Sequence, residues 1–539
     1  MLEKLSRMLG LKTDPIIFFV SAVLTITFVV CAIAFTDTVD AVFGTSSNWI
    51  LTNLGWFYIL GVTSFLIFLI WIATSRFGKA RLGPPDSKPE YSDLTWFCML
   101  FAAGIGSILM FWGVAEPISH FAEPPQQNAD PESVEAAQEA MGFTLYHFGL
   151  HTWTIFTLPA LAFGYFVYRK GLPFRVSSIF YPFIGERIYG GIGRAIDIFA
   201  VLGTLFGVAV TVGLGTMQMN SGLNTLFGVE ENRLNQVILI AIVTSIAVTS
   251  VASGLDVGIK WLSQINILLA VALLLFIFLA GSSLFLARGI IETTGVYLEW
   301  LVPLAFWNDT FGDSGWQGSW TVFYWAWTIT WSPFVGIFIA RISKGRTIRG
   351  FVLGVLGLPT IFSIVWFAVF GLSAFDIELN RGGGLVEEVV VQEDIPGALF
   401  AFLEHYPWPA FVSAMAILIV IIFFTTSADS ASLVVDMLCS GWQVSPTRQR
   451  VFWGITQGVV AATVLTATGL GGLEALQQTI IVVGLPFFVI GFFMMAALVI
   501  SLQKEFAEGS GMQRERTQTP RAKARRMRRD QRRSEENNG

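Results

Sequence analysis

The chain has 539 residues, of which 54% are hydrophobic, 14% aromatic and only 13% charged, with a net charge of −5. A soluble protein carries about 25% charged residues. Together with a mean hydropathy of +0.65, this excludes a soluble enzyme, a disordered chain and a disulfide scaffold, and points to an all-α polytopic membrane protein.

Runs of about 20 apolar residues predict twelve transmembrane helices, over 15–36, 49–74, 94–114, 143–168, 196–225, 234–252, 258–281, 319–341, 350–374, 408–426, 447–468 and 475–502. The first follows Lys4, Arg7 and Lys12 but is too long for a signal-peptide core, so it reads as a retained helix. With loops numbered alternately inside and outside, 30 of the 33 Lys and Arg fall inside, and only Arg233, Arg288 and Arg381 fall outside. This bias follows the positive-inside rule and predicts that both termini are cytoplasmic. The outside loops are acidic, with Glu123, Asp130, Glu132, Glu135 and Glu139 in one and Glu387, Glu388, Glu393 and Asp394 in another.

Two stretches have the character of interfacial segments. Residues 284–306 read as an amphipathic helix before the eighth span, and 171–193 as either a membrane-parallel segment or an ordinary connector. The tail, 503–539, is basic, and eight basic residues crowd between Arg521 and Arg533. Anionic lipid attracts such a segment by ~1 kcal/mol per residue near the surface. Salt screens that attraction, so the tail reads either as a topology signal or as a sensor of ionic strength.

The third span contains Ala102-Ala103-Gly104-Ile105-Gly106-Ser107, and the eighth contains Thr330-Trp331-Ser332-Pro333. Proline removes a helical hydrogen bond. Five spans separate the starts of these two interruptions. This predicts two repeats of five helices, spans 3–7 and 8–12, each opening on a helix broken at the midplane. In the eighth span Trp320, Tyr324, Trp327, Trp331, Phe334 and Phe338 share one helix face. In the fourth, Phe148, Trp153 and Phe156 cover an arc of about 140°. Aromatic faces around a buried cavity suit a quaternary ammonium or related onium group, at ~0.5–2 kcal/mol per cation–π contact.

No central Asp, Glu, Lys or Arg is expected in any span, and an acid relay is what a proton-coupled carrier usually keeps. Its absence favours sodium, with the adjacent hydroxyls of Thr426 and Ser427 as candidate oxygen donors, although such hydroxyls commonly bond back to their own helix. Cys31, Cys98 and Cys439 show no disulfide or zinc spacing, and His120, His147, His151 and His405 read as too scattered for a metal site. A channel or a membrane-embedded enzyme is disfavoured. The spans offer no polar catalytic cluster and no charged rings.

These segments resemble the betaine/choline/carnitine transporter (BCCT) family. The resemblance rests on Ala103-Gly104-Ile105-Gly106 through Phe111-Trp112-Gly113-Val114-Ala115-Glu116-Pro117, on Trp320-Thr321-Val322-Phe323-Tyr324-Trp325-Ala326-Trp327, on Ala340-Arg341-Ile342-Ser343-Lys344-Gly345-Arg346-Thr347-Ile348-Arg349, and on Thr426-Ser427-Ala428-Asp429-Ser430. It implies a LeuT-like fold of two inverted five-helix repeats (94–281 and 319–502). Two extra N-terminal helices (15–93) would follow a cytoplasmic N-terminus (1–14), and an outside loop with an interfacial helix (282–318) would join the repeats. It further implies trimers in a bacterial inner membrane, no role with nucleic acid, and uptake of a small quaternary-ammonium or sulfonium solute with sodium as coupling ion and no other cofactor. The resemblance assigns Trp153, Trp327 and Trp331 to the substrate site and Ala102, Ile105, Phe423, Thr426 and Ser427 to a sodium site. Gly104, Gly106, Ser107, Ile108 and Phe334 complete the expected substrate set. Several positions depart from the family pattern. The third glycine is replaced by Ile108, a second tryptophan by Thr328, and Trp and Tyr of the fourth span by Phe148 and Phe156. Ile267 and Val335 stand where sodium-independent members place fixed Arg or Met side chains. Glycine betaine is the default substrate, with choline, carnitine, ectoine and dimethylsulfoniopropionate open.

Overall fold

A computed structural model describes residues 1–102, 106–253, 256–441, 445–466 and 472–517. Gly104, Ile105 and most of the basic tail therefore lie outside the described residues, and Ala102 and Ser107 are described by their backbone only. The described chain is helical throughout its predicted spans. A short α1 (Leu2–Met8) precedes α2 (Pro15–Ala34) and the 39-residue α3 (Thr36–Thr74). The third span is two helices, α4 (Asp93–Ala102) and α5 (Gly106–Ala122), and the fourth is α6 (Val134–Phe148) and α7 (Leu150–Phe163). After short turns around α8 (Tyr181–Ile184) come α9 (Gly191–Phe227), α10 (Arg233–Ser253), α11 (Asp256–Ala280) and α12 (Ser283–Phe306). The second half holds α13 (Phe323–Ile342), entered through a π turn at Gly318–Val322, then α14 (Ile348–Asn380), α15 (Ala398–Glu404), α16 (Pro409–Ser440), α17 (Thr447–Thr466) and α18 (Gly472–Thr517).

Local chemistry sets several of these ends. Asp14 caps α2 by accepting from the Ile16 and Ile17 N–H groups, with Pro15 in the first turn. Ser133 caps α6 and Thr347 caps α14 in the same way. Gly228 and Gly441 end α9 and α16 in the left-handed region.

Among the described residues, nine helices are long and apolar enough to cross a membrane, or ten if the bent pair α11–α12 counts as one. The shortfall from twelve arises where a stretch is divided or polar. α4 and α5 are each too short alone, and α17 carries Arg448, Gln449, Arg450 and Gln457. α12 leaves α11 at 113°. Residues 171–193 form a succession of short turns rather than one amphipathic helix.

Packing follows the two-repeat pattern. α7 packs on α13, and its counterpart under exchange of the repeats is α14 on α5; α17 on α9 is matched by α10 on α16, and α13 on α9 by α5 on α16. The α6–α7 and α13 stretches are 94% buried, whereas α10 is 22% buried. The aromatic helices are thus the core, and α10 and α2 present apolar side chains outward, as lipid-facing helices must.

Two expected features need correction. α13 is not broken at Pro333. The proline leaves the Ile329 carbonyl, four residues back, without its usual donor, and the Ser332 hydroxyl donates to that oxygen at 2.7 Å. The fourth span is broken instead, at Gly149, where the Leu150 N–H donates to the Tyr297 hydroxyl of α12 at 2.9 Å. A Cβ at Gly149 would lie 2.4 Å from that hydroxyl oxygen, so glycine is required there. Phe148 therefore belongs to α6 while Trp153 and Phe156 belong to α7, and the three do not form one arc on one helix.

On the basic face the segment after α13 pairs with residues 80–82. The Leu82 N–H donates to Arg346 O (2.8 Å), Gly345 N–H to Leu82 O (2.7 Å) and Ile348 N–H to Ala80 O (2.8 Å). Gly345 has φ of +83°, and a Cβ there would strike Lys88 O. The Arg346 guanidinium lies over the Trp96 ring at 3.9 Å and pairs with Asp93 at 2.7 Å. The run Ala340–Arg349 is therefore a built turn that fastens the start of α14 to the loop after α3. Glu505 of α18 is bonded by Arg169 (Nε, 2.7 Å), Lys170 (2.9 Å) and Tyr165 (3.0 Å).

Candidate functional site

The predicted substrate residues fall on four elements, α5, α6, α7 and α13; Ile108, Phe148, Trp153, Phe156, Trp327, Thr328, Trp331 and Phe334 are buried, and Gly106 is half-buried. Ring contacts divide them into two groups. In the first, Trp153 meets Phe156 edge-on (5.6 Å between centroids), Phe156 meets Trp331 (6.4 Å), and Trp331 meets Phe334 edge-on (5.7 Å). The close approach of α7 and α13 makes this possible. Gly336 sits on Pro159 and Ala160, where an added Cβ would lie 3.0 Å from Pro159 Cβ. The Trp331 indole N–H is buried without a hydrogen-bond partner.

In the second group Phe148 stacks on Phe367 of α14 at 4.5 Å and meets Tyr324 edge-on at 5.1 Å, while Trp327 stacks with Phe323 (5.8 Å) and Tyr324 (6.5 Å). The Trp327 N–H donates to the Thr211 hydroxyl of α9 at 3.0 Å. Thr328 turns its hydroxyl back to Tyr324 O at 2.7 Å. Ile108 is buried on the first turn of α5. The expected aromatic box is thus two adjoining clusters. Thr211 is a positioning partner that sequence reasoning missed, because it lies 116 residues before Trp327.

The expected sodium residues come from α4–α5 and α16. Gly106, the first residue of α5, packs against the Phe423 ring so closely that a Cβ would lie 1.7 Å from Phe423 Cε1. This brings the turn Phe423–Ser427 against the start of α5. The Thr426 hydroxyl donates to Ile422 O (2.8 Å) and Phe423 O (3.1 Å) of its own helix, whereas the Thr425 hydroxyl is buried without a partner. With its amide turned to satisfy its neighbours, Asn266 of α11 donates to Ile419 O (3.2 Å) and accepts from Phe423 N–H (3.3 Å). A side chain therefore reaches into the hydrogen-bond ladder of α16 at the turn that begins with Phe423.

Two statements about ionisable groups are overturned. α5 continues beyond the predicted end of the third span, and Glu116 on it is fully buried. His147 Nδ1 lies 2.7 Å from Glu116 Oε1, His147 Nε2 lies 2.9 Å from the Thr321 hydroxyl, and His120 Nε2 lies 3.4 Å from Glu116 Oε1. Histidines that read as scattered are brought together by α5 packing on α6, and a buried acid is present after all. The local signal was the i,i+4 pair Glu116 and His120, which shares one helix face. With a buried acid beside an imidazole, the absence of acids no longer favours sodium over a proton.

The family model for the betaine/carnitine/choline transporters matches residues 16–507. An ectoine/glycine betaine/proline transporter of Corynebacterium glutamicum is 48% identical over 516 residues, 95% of this chain and 84% of the relative. A glycine betaine transporter of Acinetobacter baylyi is 43% identical over 509 residues, 94% and 76% of the two chains, and a high-affinity choline transport protein of Escherichia coli is 40% identical over 499 residues, 92% and 73%. The expectation of a transporter rather than an enzyme agrees with the family and with these relatives. A family match that runs from α2 into α18, joined to relatives this similar over most of their length, makes the chain a member of the betaine/carnitine/choline transporter family.

Proposed function

We propose that the protein is a sodium-coupled secondary transporter. It imports a betaine-type osmolyte, glycine betaine or a related trimethylammonium or dimethylsulfonium zwitterion, by alternating access. The observation that carries this reading is the buried ring group of Trp153, Phe156, Trp331 and Phe334. Its contacts are aromatic, and each ring face offered to an onium group is worth ~0.5–2 kcal/mol. A carboxylate is not needed there and would be costly to bury unpaired. The relatives' names mention ectoine, glycine betaine, proline and choline, all small solutes.

Sodium enters as co-substrate. The contact of Gly106 with Phe423 and the unpartnered Thr425 hydroxyl support it, because a hard cation takes oxygen donors. In this reading the basic face is cytoplasmic, with both termini, in a bacterial inner membrane. The chain is a homotrimer, and the tail 503–539 lies against anionic lipid.

The test is uptake into proteoliposomes with the sodium gradient replaced by potassium. Uptake should collapse, and undiminished uptake would overturn coupling and leave an exchanger. Tryptophan-fluorescence binding of glycine betaine, choline, carnitine, ectoine and dimethylsulfoniopropionate, each with and without sodium, assigns the substrate.

A further inference from the structure

We propose that Glu116, His120 and His147 form a binding site for one divalent transition-metal ion of the zinc type, separate from the substrate and sodium residues. The two imidazole nitrogens and one carboxylate oxygen all lie within 4.8 Å of one another and are buried. Donors held at zinc bond lengths of about 2.0–2.1 Å in a tetrahedral shell stand roughly 3.3 Å apart. Here Glu116 Oε1 stands 2.7 Å from His147 Nδ1 and 3.4 Å from His120 Nε2, and the two imidazole nitrogens lie within 4.8 Å of each other, so an ion needs the first pair to part and the two rings to stand at the tetrahedral spacing. His120 Nε2 is buried without a hydrogen-bond partner, a costly arrangement that an ion would relieve, while the Glu116 carboxyl has the Tyr324 hydroxyl beside it.

The outer contacts suit the same role. His147 Nε2, the nitrogen not facing the carboxylate, lies 2.9 Å from the Thr321 hydroxyl, which fixes the ring and leaves Nδ1 as the ligand. Imidazole and carboxylate together favour zinc, copper, nickel or cobalt over calcium or magnesium. Entry is short. Trp316 and Trp320 line an open vestibule of about 790 Å³ on the acidic face, and the His120 ring touches both from behind, at 5.1 and 4.5 Å. One aromatic layer separates the cluster from the vestibule.

The ion would join α5 to α6. Both helices also pack on α14, so the bridge stiffens one set of neighbouring helices and leaves the contacts of α9 with α16 untouched. Stabilisation is therefore the expected effect.

The experiment uses the full chain, free of any purification tag and stripped with a chelator, in detergent. Cobalt titration should give the visible bands of a four-coordinate ion at one equivalent per chain, and zinc should displace them. Zinc at a hundredfold excess over Kd should raise Tm by about 2 °C, while calcium and magnesium should not. His120→Gln should weaken binding by at least about 100-fold. It should fold, because His120 Nε2 bonds to nothing. Glu116→Gln, which retains a hydrogen-bonding side chain beside His147, is the second variant and should also lose the ion. The exposed His405→Gln is the control and should bind as the parent does. Absence of the cobalt bands in the parent overturns the proposal, as does equal binding by His120→Gln or loss of binding by His405→Gln.

Discussion

The two halves of the aromatic stripe on α13 face opposite surroundings. At its start, and in the π turn that leads into it, Thr321 and Tyr324 lie against His147 and Glu116, and the rings there sit among imidazoles. Two turns further on, Trp331 and Phe334 meet other aromatic rings, and the Trp331 N–H has no partner. Trp327 stands between them with its N–H given to Thr211. Periodicity places all of these rings on one face, yet it does not separate a ring fixed by its own protein from one left free to take a ligand. What separates Trp327 from Trp331 is that Thr211 takes up the N–H of the first and nothing takes up that of the second.

The largest expected effect tests the free half. Trp331→Ala should weaken substrate binding by ~1–3 kcal/mol, or roughly 5- to 150-fold in Kd, through lost cation–π contacts. Fluorescence or calorimetric titration of the purified variant measures it. A binding curve identical to the parent's would remove Trp331 from the site and the contrast with it.

A second test concerns how the helix that carries both halves survives Pro333. Ser332→Ala removes the donor to Ile329 O and should cost about 1–2 kcal/mol of stability. Pro333→Ala restores the backbone N–H, so Ser332→Ala should cost much less in that background. Thermal melts of the four proteins close the double-mutant cycle. Equal costs in both backgrounds would show that the serine does not patch the proline.

Local chemistry carried the fold a long way. The described parts of the apolar stretches are largely helical, with the third and fourth each divided in two, and caps such as Asp14, Ser133 and Thr347 mark starts that a local reading can find. What escaped depended on distant partners. Proline looked like a break because its missing N–H is visible in sequence, while the repair by the neighbouring serine depends on a rotamer. Gly149 drew no notice in the sequence because the hydroxyl it makes room for belongs to Tyr297, on another helix. Glu116 and His120 make a visible i,i+4 pair, but their third member sits on the next helix. The aromatic candidates were readable by type and face, and their division into two clusters was not, since Thr211 and Phe367 come from elsewhere.

A smaller effect is expected from Thr211→Val. It frees the Trp327 N–H and should cost about 1 kcal/mol, below a tenfold change in Kd. The same titration, compared with Trp331→Ala, ranks the fixed ring against the free one. A loss as large as that of Trp331→Ala would mean that Trp327 is the principal contact and that the unpartnered indole is packing.

The smallest effect lies outside the core altogether, in the acidic loops. Burial pushes the carboxyls of Glu231, Glu388 and Asp394 above their ordinary values, and repulsion from Asp394 adds to the rise at Glu231 and Glu388. A carboxyl whose folded pKa is raised binds its proton more tightly when folded. Its destabilising charge is therefore absent at low pH and appears as pH rises through the raised value. Acidification from neutral toward the carboxylate range should thus raise Tm slightly, and added salt should flatten the trend by screening the repulsion. Asp394→Asn keeps an oxygen for the Gly397 N–H, which Asp394 holds at 2.9 Å, and removes one charge. Its melting curve should depend less on pH than the parent's. Parallel pH profiles for the two would place the dependence in other groups, with the buried carboxylate beside His147 the first to examine.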